Sequence, residues 1–130
     1  MDESLRVEAV AFLDGFVAAF ATFRGEEVAR RYAPPFLAVD ARGRATAFAT
    51  EADVAHHFQG VLDDYRARGC RSCRYVALEA VAIGAQAALV SATWELLRAD
   101  GAAELRWRES YAVRRTERGM RVLASFDHAE

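Results

Sequence analysis

The chain contains no lysine, only two prolines and two cysteines, and no long apolar run. All 17 basic residues are arginines scattered among 19 acids, so the net charge is only −2. This balance provides no strong attraction to nucleic acid or to an acidic membrane surface. No apolar stretch approaches the roughly 20 residues that span a bilayer. The acidic start, Met1-Asp2-Glu3, lacks the basic region of a secretory signal. We therefore expect a cytoplasmic protein with no nucleic-acid or membrane partner.

The length of 130 residues predicts one domain, residues 1–130, with a single hydrophobic core. The hydrophobic fraction of 53% and the charged fraction of 28% are ordinary for a globular protein. We find no internal repeat, linker or low-complexity segment that would divide the chain.

The two cysteines, Cys70 and Cys73, form a Cys-x-x-Cys pair. Such a pair is either redox-active or half of a zinc site in many proteins. Here there is no second pair, and the motif does not open a helix after a strand. His56 and His57 would complete a Cys₂His₂ set only if adjacent histidines faced the same way, which a helix does not allow. The pattern favours two plain thiols at the start of a strand, with no metal and no cofactor.

Three helical segments precede a series of strands. The first runs from Ser4 to Phe23 and repeats apolar residues on one helix face, namely Phe12, Leu13, Phe16, Val17, Phe20 and Phe23. A short second helix is predicted from Glu26 to Tyr32, ended by Pro34-Pro35. A small hairpin follows, from Phe36 to Asp40 and from Ala45 to Ala49. Thr50 is a suitable N-cap for the third helix, which Gly69 closes.

A long hairpin between Ala87 and Val113 is the most informative feature of the chain. Asp100-Gly101 predicts a type I′ turn, which needs φ > 0 at both central residues. Pairing outward from this turn gives one face of four pairs: Leu96 with Leu105, Trp94 with Trp107, Ala92 with Glu109, and Val90 with Tyr111. A slip by one residue would drive Arg106 and Arg108 into the core, so the register is well specified.

Glu109 is the single acid on this otherwise apolar face. A carboxylate there must be protonated, paired or open to water in a cavity, because its desolvation costs several kcal/mol. A raised pKa would suit a general acid or a neutral hydrogen-bond donor. A purely structural acid, bonded to a neighbouring side chain, is the alternative.

His128 is the expected neighbour of Glu109 on the last strand. A two-residue turn at Arg118-Gly119 would pair Glu109 with His128, and the two groups would then exchange protons near neutral pH. A three-residue loop with a bulge would shift this pairing. The position of His128 near the chain end also fits a frayed, exposed residue.

The order of elements resembles the NTF2-like superfamily, which includes steroid isomerases and polyketide cyclases of the SnoaL type. Three stretches carry the resemblance: Phe16-Val17-Ala18-Ala19-Phe20, Tyr32-Ala33-Pro34-Pro35-Phe36-Leu37-Ala38-Val39-Asp40, and the closing series Trp94, Asp100-Gly101, Tyr111, Gly119 and Phe126-Asp127-His128. The resemblance implies an α+β fold in which three N-terminal helices pack on a strongly curved antiparallel sheet and leave a conical cavity. It also implies a homodimer through the outer sheet face.

The resemblance also implies positions for a site. Asp40 falls where the proton-shuttling aspartate of the steroid isomerases would be, and Glu109 falls near their late-strand acid. Phe16 stands where those enzymes have a tyrosine, and it cannot donate a hydrogen bond, which argues against ketosteroid isomerase activity. The local sequence pattern alone predicts a structural role for Asp40, in which its side chain bonds backbone N–H groups at the start of a turn.

We therefore expect a pocket for an apolar small molecule. Its predicted walls are Phe16, Phe20, Phe58, Trp94, Trp107 and Tyr111. If the protein is an enzyme, the chemistry is acid–base catalysis without a cofactor, with Glu109 as acid, Asp40 as base and His128 as tuning partner. The alternative is a non-catalytic ligand-binding or dimerisation module.

Overall fold

In the computed structural model, which describes residues 2–129, the chain forms three helices and one six-stranded sheet. The helices are α1 (Glu3–Ala21), α2 (Gly25–Ala29) and α3 (Glu51–Ala67). The strands are β1 (Tyr32–Val39), β2 (Ala45–Phe48), β3 (Cys70–Ile83), β4 (Ala87–Arg98), β5 (Ala103–Thr116) and β6 (Gly119–Asp127). The expected α+β class is confirmed. None of the described helices combines the length and apolarity needed to cross a membrane.

The strand order is β2-β1-β6-β5-β4-β3. Neighbours are antiparallel except β1 and β6, which run parallel. The expectation of a purely antiparallel sheet is therefore wrong at this one pair. The reason is that β1 leaves from the end of α2 and enters the sheet beside the last strand, in the same direction.

The helix ends follow the predicted caps for α3 but not for α2. The Thr50 side chain accepts a hydrogen bond from the Asp53 backbone N–H at 3.1 Å, and Gly69 adopts φ +95° after the helix. The second helix stops at Ala29 rather than Tyr32, and Pro34-Pro35 lie inside β1. Because neither proline can donate a ladder bond, the β1–β6 register is broken between Tyr32 and Leu37.

The predicted register of the long hairpin is confirmed at all four pairs from Leu96–Leu105 to Val90–Tyr111. The predicted turn is wrong. Only Gly101 has positive φ, and the Arg98 N–H donates to the Ala102 carbonyl at 2.8 Å across a three-residue loop. A bulge between Leu96 and Leu97 then restores the pairing. The two departures cancel, so the face that carries Glu109 is the one the sequence predicts.

The hairpin formed by β5 and β6 differs more from its predicted register. Thr116 pairs with Gly119, and a bulge lies between Ala112 and Val113. Glu109 consequently pairs with Asp127, so the predicted pairing of Glu109 with His128 is wrong. The alternative predicted the bulge, but the connection is a two-residue turn at Glu117-Arg118 rather than a three-residue loop.

The core lies between the inner face of the sheet and α1, which contacts β3 and β6. Helix α3 packs beside α2 and reaches β1 and β3. The largest fully buried side chains include Phe12, Leu13, Phe36, Val54 and Leu96. Burying such side chains is the main stabilising contribution to the fold.

We predict that Leu13→Ala, in the buried face of α1, lowers the free energy of unfolding by about 2–5 kcal/mol. Leu13 has no exposed surface, so truncation leaves a cavity. Val7→Ala on the same helix is the control, because Val7 is 61% exposed. It should change stability by less than about 0.5 kcal/mol in urea denaturation. Equal losses for the two variants would contradict the assignment of the α1 face.

Candidate functional site

A cavity of about 990 Å³ opens between the inner face of the sheet, α1 and α3. All six aromatic residues predicted as its walls border it: Phe16, Phe20, Phe58, Trp94, Trp107 and Tyr111. The deep part is aromatic, whereas polar side chains gather where the ends of β1 and β6 meet the middle of β5. The cavity therefore has an apolar interior with a small polar set at one side.

Tyr111 and Phe16 form the floor of the cavity. Their rings stack with centroids 5.4 Å apart and an interplanar angle of 23°. Trp94 meets Phe16 edge-on at 6.2 Å and donates its Nε1–H to the Tyr111 hydroxyl at 2.8 Å. These contacts fix the orientation of Tyr111.

Arg31 supports Phe16 from below. Its guanidinium lies 5.9 Å from the Phe16 ring centroid and 6.0 Å from that of Phe12. The guanidinium occupies the space that Gly15 leaves, so a side chain at position 15 would displace it.

Glu109 faces inward from β5, as predicted, and part of its surface stays open to the cavity. The Trp107 Nε1–H donates to Glu109 Oε1 at 2.9 Å. The carboxyl therefore meets both conditions weighed from the sequence: it borders a cavity, and it has a protein partner.

Burial raises the pKa of Glu109 to about 7, because the charged form loses hydration among aromatic side chains. The negative charge of Asp127 pushes the pKa in the same direction. Hydrogen bonds from Trp107, Tyr111 and Ser125 oppose this by stabilising the carboxylate. Near neutral pH, Glu109 thus populates both the protonated and the ionised form.

Asp127 is the acid that the sequence did not single out. It lies opposite Glu109 on β6 and borders the same cavity. Burial, followed by the charge of Asp40, raises the pKa of Asp127. The feature that brings Asp127 opposite Glu109 is the bulge in this hairpin, which moves the inward face of β6 by one residue.

His128 lies beside Asp127 at the rim, but its ring turns elsewhere. Its Nε2 is 2.7 Å from Ser110 Oγ, on the outer side of β5, and its backbone N–H donates to the Arg108 carbonyl at 3.0 Å. The imidazole is therefore committed to Ser110 rather than to Glu109.

Asp40 is placed at the cavity mouth, where it organises the β1–β2 turn. Its carboxylate accepts hydrogen bonds from the Arg42 N–H at 2.9 Å, the Arg44 N–H at 3.0 Å and the Arg44 Nε–H at 2.9 Å. These donors, with the Arg44 charge, hold the pKa of Asp40 below its usual value. Asp40 is accordingly ionised and weakly basic.

The thiols and histidines form no metal site. Within residues 2–129, no group of three or more histidine, cysteine or acidic side chains has a geometry that would hold a metal ion. Burial raises the pKa of Cys73 to about 12 and also raises that of Cys70, so neither is a reactive thiolate near neutral pH. His57 packs on Phe48, with ring centroids 4.7 Å apart, at the cavity rim.

Two tyrosines also border the cavity, and sequence reasoning missed both as site residues. Tyr32 is at the start of β1 and Tyr65 is on α3. The sequence pattern predicts Tyr32 at the end of the second helix, whereas it begins β1.

Solved structures with the same fold come from several bacteria. A ketosteroid isomerase-like protein from Erwinia carotovora atroseptica is 17% identical, with a TM-score of 0.69 over 98% of this chain and 97% of that one. A candidate dehydratase of the NTF2-like family from Streptomyces avermitilis is 14% identical, with a TM-score of 0.69 and 99% of both chains covered. A protein of unknown function with a cystatin-like fold from Nostoc punctiforme is 11% identical, with a TM-score of 0.76 over 100% of this chain and 94% of that one.

At these identities the likeness concerns the fold alone. No curated protein matches the chain in sequence. A family model described as NTF2-like protein (DUF6841) matches residues 6–130, which is nearly the whole chain. Together with the three helices, the curved six-stranded sheet and the cavity beneath it, this match shows that the chain belongs to the NTF2-like protein family DUF6841.

Proposed function

We propose that the cavity binds an apolar small molecule and that Glu109 transfers protons to or from it without a cofactor. The observation that carries the proposal is the position of Glu109: a half-buried carboxyl with a pKa of about 7, open to a cavity of about 990 Å³. A group that is partly protonated near neutral pH is suited to act as a general acid or base.

The reaction types that fit are isomerisation, cyclisation, dehydration and hydration. Each needs a proton placed on or taken from a carbonyl, hydroxyl or adjacent carbon, and none consumes a redox equivalent. Neighbours in structure include proteins whose names point to an isomerase-like and a dehydratase chemistry. Those names describe the neighbours, and the reaction proposed here rests on Glu109.

We assign Asp127 to tune the carboxyl, in the place first proposed for His128. It lies opposite Glu109, and its negative charge raises the pKa of Glu109. Asp40 and His128 both border the mouth and remain proposed as secondary members of the site. The lowered pKa of Asp40 makes it a poorer base than Glu109.

A non-catalytic ligand-binding or dimerisation module is the second candidate. Two observations favour it: Phe16 offers no hydroxyl on α1, and Asp40 is already occupied by its turn. In that case the cavity would bind its ligand, and Glu109 would only add a hydrogen bond.

We predict that Glu109→Gln lowers kcat/KM at least about 100-fold on any carbonyl or enolisable substrate that the protein turns over. Glutamine keeps the shape and a hydrogen-bonding oxygen but cannot exchange a proton. In the wild type, the kcat/KM profile should bend near pH 7, falling above it if Glu109 is the acid and below it if Glu109 is the base. Initial rates across pH 5–9 measure both effects.

The matched control for this change is Glu79→Gln. Glu79 is an exposed acid on the outer face, where it pairs with Arg108. Its variant should keep wild-type rates. Unchanged turnover in Glu109→Gln would remove Glu109 from the mechanism and favour the binding module.

The pKa of Glu109 also predicts a pH dependence of stability. The folded-state pKa is raised, so the stabilising effect of its proton is complete below about pH 4.5 and is lost as pH rises through about 7. The groups facing Glu109 are Asp127, Trp107, Tyr111 and Ser125. Relative to Glu109→Gln, the wild type should lose up to about 3 kcal/mol between pH 4.5 and 8. Urea denaturation of both proteins at the two pH values measures this difference. An equal change in the free energy of unfolding of the wild type and of Glu109→Gln would contradict the prediction.

We further propose that two copies of the chain pair through the outer face of the sheet. One outward row crosses all six strands and is entirely apolar: Val81, Leu89, Ala112, Ala124, Leu37 and Ala47. Beside it, acids and arginines alternate, including Glu95 with Arg74 and Arg106. A face with both signs of charge is complementary to a second copy of itself around a two-fold axis.

We predict that Val81→Asp converts the dimer into a folded monomer. Val81 is 60% exposed in the single chain, so the charge harms only an interface. Sedimentation velocity at micromolar concentration measures the oligomeric state. The control is Glu117→Gln, at the β5–β6 turn, which should remain dimeric. A wild-type protein that sediments as a monomer would contradict the proposal.

A further inference from the structure

The hydroxyl of Tyr32 has no protein partner among residues 2–129. The side chain is only 2% exposed, and what remains open faces the cavity. Buried tyrosine hydroxyls are normally hydrogen-bonded, because leaving one unpaired costs free energy. Tyr111, which is equally buried, follows the rule and accepts a hydrogen bond from Trp94. The Tyr32 hydroxyl lacks such a protein partner and stays accessible from the cavity.

Packing holds the Tyr32 ring in place. Its ring centroid is 4.5 Å from Phe36, 5.0 Å from Phe58 and 5.6 Å from Phe16. These neighbours come from β1, α3 and α1, so the ring is fixed from three directions. The unpaired hydroxyl is therefore presented to the cavity by a rigid support rather than by a mobile side chain.

A second tyrosine lies near the same space. Tyr65 packs against Phe20 and Trp107, each at 6.3 Å between ring centroids, and borders the cavity. The charges of Glu109 and Asp127 act on both Tyr32 and Tyr65 and raise their pKa values, which indicates that all four groups surround one region. Both hydroxyls remain protonated in the physiological range and are available as donors.

We propose that Tyr32 is a ligand-binding residue whose hydroxyl donates a hydrogen bond to an uncharged oxygen, such as a carbonyl or ether, on an aromatic or polycyclic ligand, with Tyr65 as the second donor. This inference rests on the proposed small-molecule function of the cavity and names the ligand chemistry it selects. The ligand oxygen satisfies the hydroxyl that the protein leaves unpaired.

The walls and charges restrict the rest of the ligand. Aromatic rings from α1, α3, β4 and β5 favour a flat apolar body. At the polar side, the ionised forms of Glu109 and Asp127 repel a negatively charged ligand group, and Arg44 at the mouth is already paired with Asp40. An uncharged oxygen is compatible with every group that faces this region.

The first test measures stability and needs no ligand. Tyr32→Phe removes only the hydroxyl, which no protein group uses, so its melting temperature should equal or exceed that of the wild type. Tyr111→Phe is the matched control, because it removes the partner of the buried Trp94 N–H and should melt lower. Destabilisation of Tyr32→Phe as large as that of Tyr111→Phe would assign its hydroxyl to the fold and overturn the inference.

The second test compares two probes of nearly equal shape, 2-acetylnaphthalene and 2-isopropylnaphthalene. Only the first carries a carbonyl oxygen. Tyr32→Phe should weaken binding of the ketone about tenfold and leave that of the hydrocarbon unchanged, as measured by ligand-observed NMR. Tyr65→Phe should show a loss in the same direction. Tyr75→Phe, whose hydroxyl donates to Asp14 outside the cavity, should show neither loss.

The outcomes separate this inference from the proposed function. Binding of neither probe to the wild type would overturn the small-molecule cavity and this inference with it. Binding of both probes with no ketone-selective loss in Tyr32→Phe would overturn the role of Tyr32 alone. A ketone-selective loss supports Tyr32 even if Glu109→Gln leaves turnover unchanged.

Discussion

The structure depends on one constraint: a carboxyl must be kept inside an aromatic cavity without a positively charged partner. Glu109 meets it with the Trp107 N–H and with the surface it keeps open to the cavity. Desolvation outweighs those donors, so its pKa rises to about 7. A salt bridge in the same position would have kept the group ionised and removed its ability to exchange protons.

The surroundings maintain this balance through rigid contacts. Trp94 donates to Tyr111, Tyr111 stacks on Phe16, and Arg31 supports Phe16 from the space that Gly15 leaves. The aromatic cluster orients the polar atoms at the cavity while contributing little polarity itself. Asp127 acts from the neighbouring strand as a second acid, and the cavity thereby combines apolar walls with a narrow band of donors and acids.

Sequence reasoning was most reliable where one face of a strand had to be apolar. Moving the β4–β5 pairing by a single residue would have buried Arg106 and Arg108, so Glu109 faced inward whatever loop joined the strands. It failed at β6, where Ser125, Phe126 and Asp127 fit either face almost equally well. It also failed at Tyr32, because Pro34-Pro35 suggests a helix end as well as an irregular strand.

The sequence by itself determined the fold class, the order of most elements, the aromatic walls and the inward carboxyl. Each of these follows from a hydrophobic pattern repeated over many residues, which only one arrangement can bury. Only the tertiary structure decided that Asp127 rather than His128 faces Glu109, that Asp40 serves its own turn, and that the Tyr32 hydroxyl is left unpaired. These depend on bulges, on a parallel pairing between distant strands and on single hydrogen bonds, which no local pattern specifies.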